Sequence, residues 1–384
     1  MKIAFDALKL ANPFVIGRYA GKEYFCDRED QLLFLDKSIR NGRDIAIISP
    51  RRMGKSGLIE NFFAQTEIRR DFITVFVDIY ATSTISEMVA VLSQAVFRAI
   101  TKERETPWQK FVESLKSLRP SVSFDQVTGA PSLSISAVSV TQPELTLAEI
   151  FEYLNEAPRP VIVAIDEFQE ISRYGEGKAE ALLRGYIQRS PRTRFIYAGS
   201  EQSLMTAMFS SHKRPFYQSC TIMHLPPIDE DKYVEFAMRK FADYGKTGNE
   251  KVIRTVYRKM SAITWFVQMM LNELFAITPA GGCLGEGDMA VAEQNILGVQ
   301  EYGYRDLMAR LSPMQRNLAI YLARKGRVEN LLSAQSLAES GFKTSASMQS
   351  ACKGLEKGGF ITRSGNSYSL YDIFFATWLR NSQT

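Results

Sequence analysis

Five short, apolar, β-branched runs recur through the first 225 residues, each separated from the next by helical periodicity. They occupy 44–49 (DIAIIS), 72–78 (FITVFVD), 161–166 (VIVAID), 194–200 (RFIYAGS) and 221–225 (TIMHL). Near-continuous apolar runs suit strands covered on both faces, because alternation is needed only where one face meets water. The segments between them, such as ISEMVAVLSQAVFRAI and SLMTAMF, space apolar residues three and four apart. Repeated strand–helix alternation predicts an α/β fold built on a doubly wound parallel sheet.

Two regions depart from that rhythm. Residues 121–138 (SVSFDQVTGAPSLSISAV) alternate polar and apolar around Thr128-Gly129, which predicts an inserted β-hairpin. From Ile228 to about Gln300 the pattern is wholly helical. From Leu311 onward three helical segments (SPMQRNLAIYLARKG, AQSLAESG, ASMQSACKGLEKGGF) precede ITRSGNSYSL, which reads as a two-stranded wing. That order is a winged helix-turn-helix. The aromatic end, YDIFFATWL, is expected to close the core of that small domain. The expected division is an α/β core over 1–227, a helical domain over 228–304 and a winged helix over 305–384. A chain of 384 residues has room for them, at ~150 residues per domain.

Composition narrows the class of protein. Hydrophobic residues make up 45% and charged residues 23%, which suits a soluble globular chain with a large core. A formal charge of +5 is compatible with an anionic partner without demanding nucleic acid. Cys26, Cys220, Cys283 and Cys352 are scattered, with no CxxC pair and only His212 and His224 to join them. That argues against a metal cluster or disulfide framework and points to the reducing cytoplasm. The N-terminal MKIAFDALKLANPFVIGRY lacks the apolar core of a signal peptide. The greasiest later stretch, AITWFVQMMLNELFAI, carries Gln268, Asn272 and Glu273 and is too short and polar to span a bilayer, so no membrane partner is expected.

Two motifs carry chemistry. SPRRMGKSGLI follows the first strand and opens a helix, which is the context of a phosphate-binding loop. Pro50, Arg51, Arg52, Met53, Gly54, Lys55, Ser56 and Gly57 are the expected nucleotide-binding residues. Backbone N–H groups at the helix start would cradle phosphates. Lys55 would reach the β- and γ-phosphates of ATP, and the Ser56 hydroxyl would ligate Mg2+. Ser49 stands where the pattern asks for its first glycine. Arg51 and Arg52 either contact phosphate or face water. The second motif, VIVAIDEFQEI, ends a buried strand in two carboxylates. Asp166 would support the magnesium ion, and Glu167 would act as general base on the attacking water. Either carboxylate alone would read as strand-edge solvation. Both motifs at strand ends in one domain make coincidence improbable. Ser200 ends the fourth strand as either a γ-phosphate contact or an N-cap. Arg214, before the fifth strand, is either an arginine finger acting on a neighbouring subunit or a solvated loop charge.

The order EYFCDRED, SPRRMGKSGLI, VIVAIDEFQEI, IYAGS, RPFYQS, a helical lid and a winged helix resembles the archaeal-type ATPases. These are P-loop proteins of the AAA+/STAND branch, related to origin-recognition ATPases, and the resemblance covers nearly the whole chain. It implies that residues 25–29, with Phe25 and Arg28, lie in an adenine pocket. It also implies that Ser200 takes the sensor-1 position and that Arg214 sits where relatives carry the arginine finger. Family members usually show a glycine–proline motif at the lid helix. This chain has Ala262 and Thr264 there instead, and Arg254 and Arg258 are the nearby candidates for a sensor-2 arginine.

The function expected is an ATP-binding, slowly hydrolysing molecular switch, with ATP, ADP and Mg2+ as ligands and a protein partner or a second copy of the chain as its target. A DNA-associated ATPase using the winged helix is one alternative. Its presumed recognition helix offers only Gln349, Lys353 and Lys357, with Arg363 in the wing, where DNA readers usually concentrate such residues. A nucleotide-binding scaffold without turnover is the other.

Overall fold

The computed structural model describes residues 9–101, 108–118, 120–125, 131–175 and 178–382. The chain forms two compact units, one of Gly17–Asp229 and one joining the residues up to Ile16 with Glu230–Thr384. The first unit runs α1 (Glu29–Arg40), β1 (Ile45–Ile48), α2 (Lys55–Ala64), α3 (Thr66–Asp71), β2 (Ile73–Asp78), α4 (Ile85–Ile100), α5 (Trp108–Ser114), β3 (Ser121–Phe124), β4 (Pro131–Ser134), α6 (Pro143–Asn155), β5 (Val161–Asp166), α7 (Ala179–Gln188), β6 (Thr193–Gly199), α8 (Gln202–Ser210) and β7 (Thr221–His224).

All five apolar runs become strands of one sheet, in the order β2-β5-β6-β1-β7 and parallel throughout. Every residue of β1 and of β5 is buried, which is why both read as unbroken apolar runs. The long helix α4 is capped by Thr84, whose hydroxyl accepts the Glu87 N–H at 3.2 Å and satisfies one orphan donor of its first turn. β3 and β4 pair antiparallel as the expected hairpin; its Thr128-Gly129 turn lies outside the described residues.

The second unit contains α9 (Glu230–Asp243), α10 (Glu250–Lys259), α11 (Thr264–Ile277), α12 (Asp288–Arg310), α13 (Pro313–Lys325), β8 (Arg327–Glu329), α14 (Ala334–Ser340), α15 (Ser345–Lys357), β9 (Ile361–Ser364), β10 (Ser367–Leu370) and α16 (Ile373–Asn381). The wing is three-stranded, in the order β8-β10-β9, because Arg327–Glu329 adds an edge strand to the expected pair. α16 buries Phe374, Phe375 and Leu379, as the aromatic end suggested. Residues 9–16, which the sequence placed with the α/β core, pack in this unit. Phe14 is fully buried among Phe236, Phe241 and Phe275, and Asn272 donates to its carbonyl at 2.7 Å.

The turn between α10 and α11 explains how the chain dispenses with glycine and proline. Ser261 and Ala262 both have left-handed backbone, φ 53° and 56°, the region glycine enters most easily. Thr264 is the first residue of α11, the position proline favours. The backbone those two residue types would prescribe is made without them. Among the described residues no helix is long and apolar enough to cross a membrane.

Candidate nucleotide site

Three parallel strands deliver the candidate residues to one edge of the sheet. Ile48 of β1 lies beside Gly199 of β6, and Ile165 of β5 lies beside Tyr197 of β6. The residues that follow, Ser49, Ser200 and the pair Asp166-Glu167, therefore leave the sheet together at its carboxyl edge, where open α/β sheets bind their ligands.

The loop after β1 turns through left-handed backbone at Arg52 (φ 63°) and Gly54 (φ 91°). Such turns point successive N–H groups into a concavity that suits an anion. α2 begins directly after Gly54, with no side-chain cap and no acidic residue in its first turn. Its orphan N–H groups and positive dipole end are thus left for a ligand. Ser49 is not among the residues with positive φ, so serine replaces the pattern's first glycine without backbone strain. Lys55 is buried, and its Nζ donates to the carbonyls of Ser49 at 3.1 Å and Pro50 at 3.0 Å. Burial pulls its ammonium below the usual lysine range, and the carboxylates of Glu167 and Asp166 partly restore it.

The two carboxylates take different surroundings. Asp166 is buried and accepts the Ser56 hydroxyl at 2.5 Å and the Glu167 N–H at 3.0 Å. Burial raises its carboxyl above the usual range, against the lowering by the Ser56 hydrogen bond. Glu167 is half-buried and sits in left-handed backbone (φ 52°), a strained conformation that tends to be kept at functional sites. Its Oε2 accepts from the Ser200 hydroxyl at 2.7 Å and from Gln169 Nε2 at 2.5 Å. Arg51 Nε donates to the same Ser200 hydroxyl at 3.4 Å, and its guanidinium lies 5.7 Å from the Tyr80 ring centroid. The loop, β5 and β6 are thereby joined through Arg51, Ser200 and Glu167.

The N-terminal box lies against this loop. Tyr19 hydrogen-bonds Asn61 of α2 at 2.9 Å, and the Phe25 ring packs edge-on to Tyr19 and within reach of Gly57. Arg28 is buried in left-handed backbone (φ 81°), and it donates to Pro226 O at 2.7 Å and to Met53 O at 3.4 Å. Those bonds tie the loop to the segment after β7. Pro50, Ser56 and Gly54 are exposed beside the buried Met53 and Lys55. Arg214 is not brought to this cluster: it donates to Glu180 of α7 at 2.6 Å, where burial raises the Glu180 carboxyl.

The sequence reading missed Gln169 and Gly199. Gln169 follows the two carboxylates directly in DEFQ, between Phe168 and Glu170, and that closeness was the available signal.

Residues 25–268 match the family described as an ATPase domain predominantly from Archaea, and residues 302–381 match a probable winged helix domain. The chain belongs to this archaeal-type ATPase family. The match begins at Phe25 and spans every residue of the cluster described above. Among solved structures, the Walker-type ATPase of Pyrococcus abyssi aligns with a TM-score of 0.65 at 21% identity, covering 96% of this chain and 99% of that one. The Aeropyrum pernix ORC2 protein, in ADPNP–ADP complexes, aligns with a TM-score of 0.52 at 11% identity, covering 92% and 93%. The Aeropyrum pernix ORC1 protein in complex with DNA gives 0.51 at 10% identity, covering 94% and 93%. At these identities the likeness is one of fold. A comparison with curated protein sequences returns no match.

Proposed function

We propose that this chain binds ATP with Mg2+, hydrolyses it slowly and works as a switch between its ATP and ADP forms. The observation that carries the reading is the convergence of Lys55, Ser56, Asp166, Glu167 and Ser200 at one sheet edge, with Ser56 on Asp166 and Ser200 on Glu167. The loop amides and Lys55 bind the β- and γ-phosphates, and Phe25 borders the base. The residues present fit a magnesium ion. The Ser56 hydroxyl and Asp166 carboxylate are hard oxygen donors at hydrogen-bond distance. Among the described residues no group of three His, Cys, Asp or Glu side chains could hold a metal by itself. Such a pair suits an ion that completes its shell with phosphate oxygens and water, and when bound it would neutralise phosphate charge. Glu167 takes the proton of the attacking water, and Ser200 and Arg51 lie where the γ-phosphate would be sensed.

Phosphate release and ATP binding, measured side by side, test this. Lys55→Ala is expected to weaken ATP binding. Glu167→Gln is expected to keep binding and lose at least ~10-fold in turnover, since base catalysis contributes ~10²–10⁴. A wild-type chain that binds ATP but releases no phosphate above background is a scaffold, and the proposal falls.

A second reading, DNA contact through the winged helix, draws on one observation. Gln349, Lys353 and Lys357, four residues apart along α15, are all exposed. One of the solved structures of similar fold, the Aeropyrum pernix ORC1 protein, is in complex with DNA. Lys353→Glu is expected to weaken duplex binding and flatten its salt dependence, since each phosphate contact contributes to that slope; binding identical to wild type removes this reading.

A further inference from the structure

We propose that Gln169 is a positioning residue that, with Ser200, holds the Glu167 carboxylate in place for catalysis; this rests on Glu167 being the base. Gln169 is 0% exposed. Its Nε2 donates to Glu167 Oε2 at 2.5 Å, while its Oε1 is buried without a hydrogen-bond partner. The amide orientation is set by the carboxylate, which accepts only from the NH2 end. A buried amide with one end unpaired costs stability, and an apolar side chain of the same shape would avoid that cost. The fold nonetheless makes room for it. A Cβ on Gly199 would lie 2.6 Å from Gln169 Oε1 and 2.4 Å from Met205 Sδ, so only glycine leaves space there for the amide.

The geometry shows what the amide does. Oε2 of Glu167 receives two donors, Gln169 Nε2 from its own turn and Ser200 Oγ from β6. The last torsion of a glutamate is soft, so a free carboxylate would swing. Two donors on one oxygen fix that torsion and assign the other oxygen, Oε1, to the proton of the attacking water. Gln169 touches neither substrate nor metal in this scheme; it acts through Glu167.

The test uses the full chain carrying Gln169→Met, which keeps the volume and removes the amide. Turnover is expected to fall ~10–100-fold, the range for a misplaced catalytic group. ATP affinity should stay unchanged and Tm should be unchanged or higher. Gly199→Ala, which displaces the amide from the opposite side, should reproduce the loss of kcat with ATP affinity kept. In a Glu167→Gln background, Gln169→Met should cost nothing further, since both act on one group. Wild-type kcat in Gln169→Met overturns the inference. So does a fall in Tm that accompanies the fall in kcat, or a loss that adds fully to that of Glu167→Gln. The two readings fail separately: if Glu167→Gln turns over like wild type, the base assignment is lost, whereas slow Glu167→Gln with normal Gln169→Met removes only the role of Gln169.

Discussion

Replacing Asp44 by asparagine should stabilise the α/β unit at neutral pH and leave the nucleotide site intact. Asp44 immediately precedes β1, at the edge of the sheet opposite the phosphate-binding loop. Its carboxylate accepts the Phe195 N–H of β6 at 2.9 Å, and its carbonyl accepts the Thr221 N–H of β7 at 2.9 Å. Burial pushes the carboxyl from 3.8 up to about 6, despite the Phe195 hydrogen bond and the charges of Arg194 and Arg184 that pull it down. The folded state therefore holds this proton more tightly than the unfolded chain does. The stabilisation from the protonated form is complete below the unfolded value of 3.8 and is lost as pH rises through about 6. At pH 7.5 the wild type has lost it, which amounts to ~3 kcal/mol at ~1.4 kcal/mol per pH unit. Asparagine mimics the protonated carboxyl at every pH and keeps an acceptor for Phe195. The variant should melt ~6–10 °C above wild type at pH 7.5, and the difference should close by about pH 4. Thermal melts across that range read it directly. Equal melting temperatures at pH 7.5, or a difference that persists unchanged at pH 4, would show that titration of Asp44 is not the cause.

Further outcomes follow from the same geometry. Arg214 pairs with Glu180, away from its own loop. If it completes a neighbouring copy's site, specific activity rises with protein concentration, and mixing Arg214→Ala with Lys55→Ala restores part of the turnover each lacks alone, the finger being worth up to ~10³-fold or more; concentration-independent turnover by a monomer that stays monomeric with ATP ends that idea. Ala262→Gly relieves a left-handed alanine at φ 56° and should raise stability by ~0.5–1 kcal/mol, after glycine's entropic cost is set against the strain; a chemical denaturation midpoint below wild type would contradict it.

The sequence by itself determined the sheet and which side chains gather along its edge. Strands buried on both faces must be apolar throughout, so Ile45–Ile48 and Val161–Asp166 announced themselves. Gly54 with Lys55 and Ser56 behind it matches the phosphate-binding loop pattern, which is a local signature. Strand order left no such trace, because nothing local in β1 or β5 says that β6 lies between them. The packing of residues 9–16 with the helical unit was equally invisible, since Phe14 meets Phe241 and Phe275 only after folding. Ser261 and Ala262 adopt backbone their side chains disfavour, held by hydrogen bonds from their N–H groups to the carbonyls of Arg258 and Tyr257, where local propensity argues against it. Gln169 is the sharpest case. One glutamine in a turn says nothing until the tertiary structure buries it, faces it with Gly199 and sets its amide on Glu167. Periodicity and short motifs record what neighbouring residues must do together, whereas the meeting of Arg51, Ser200, Glu167 and Gln169 depends on distances that only the folded chain fixes.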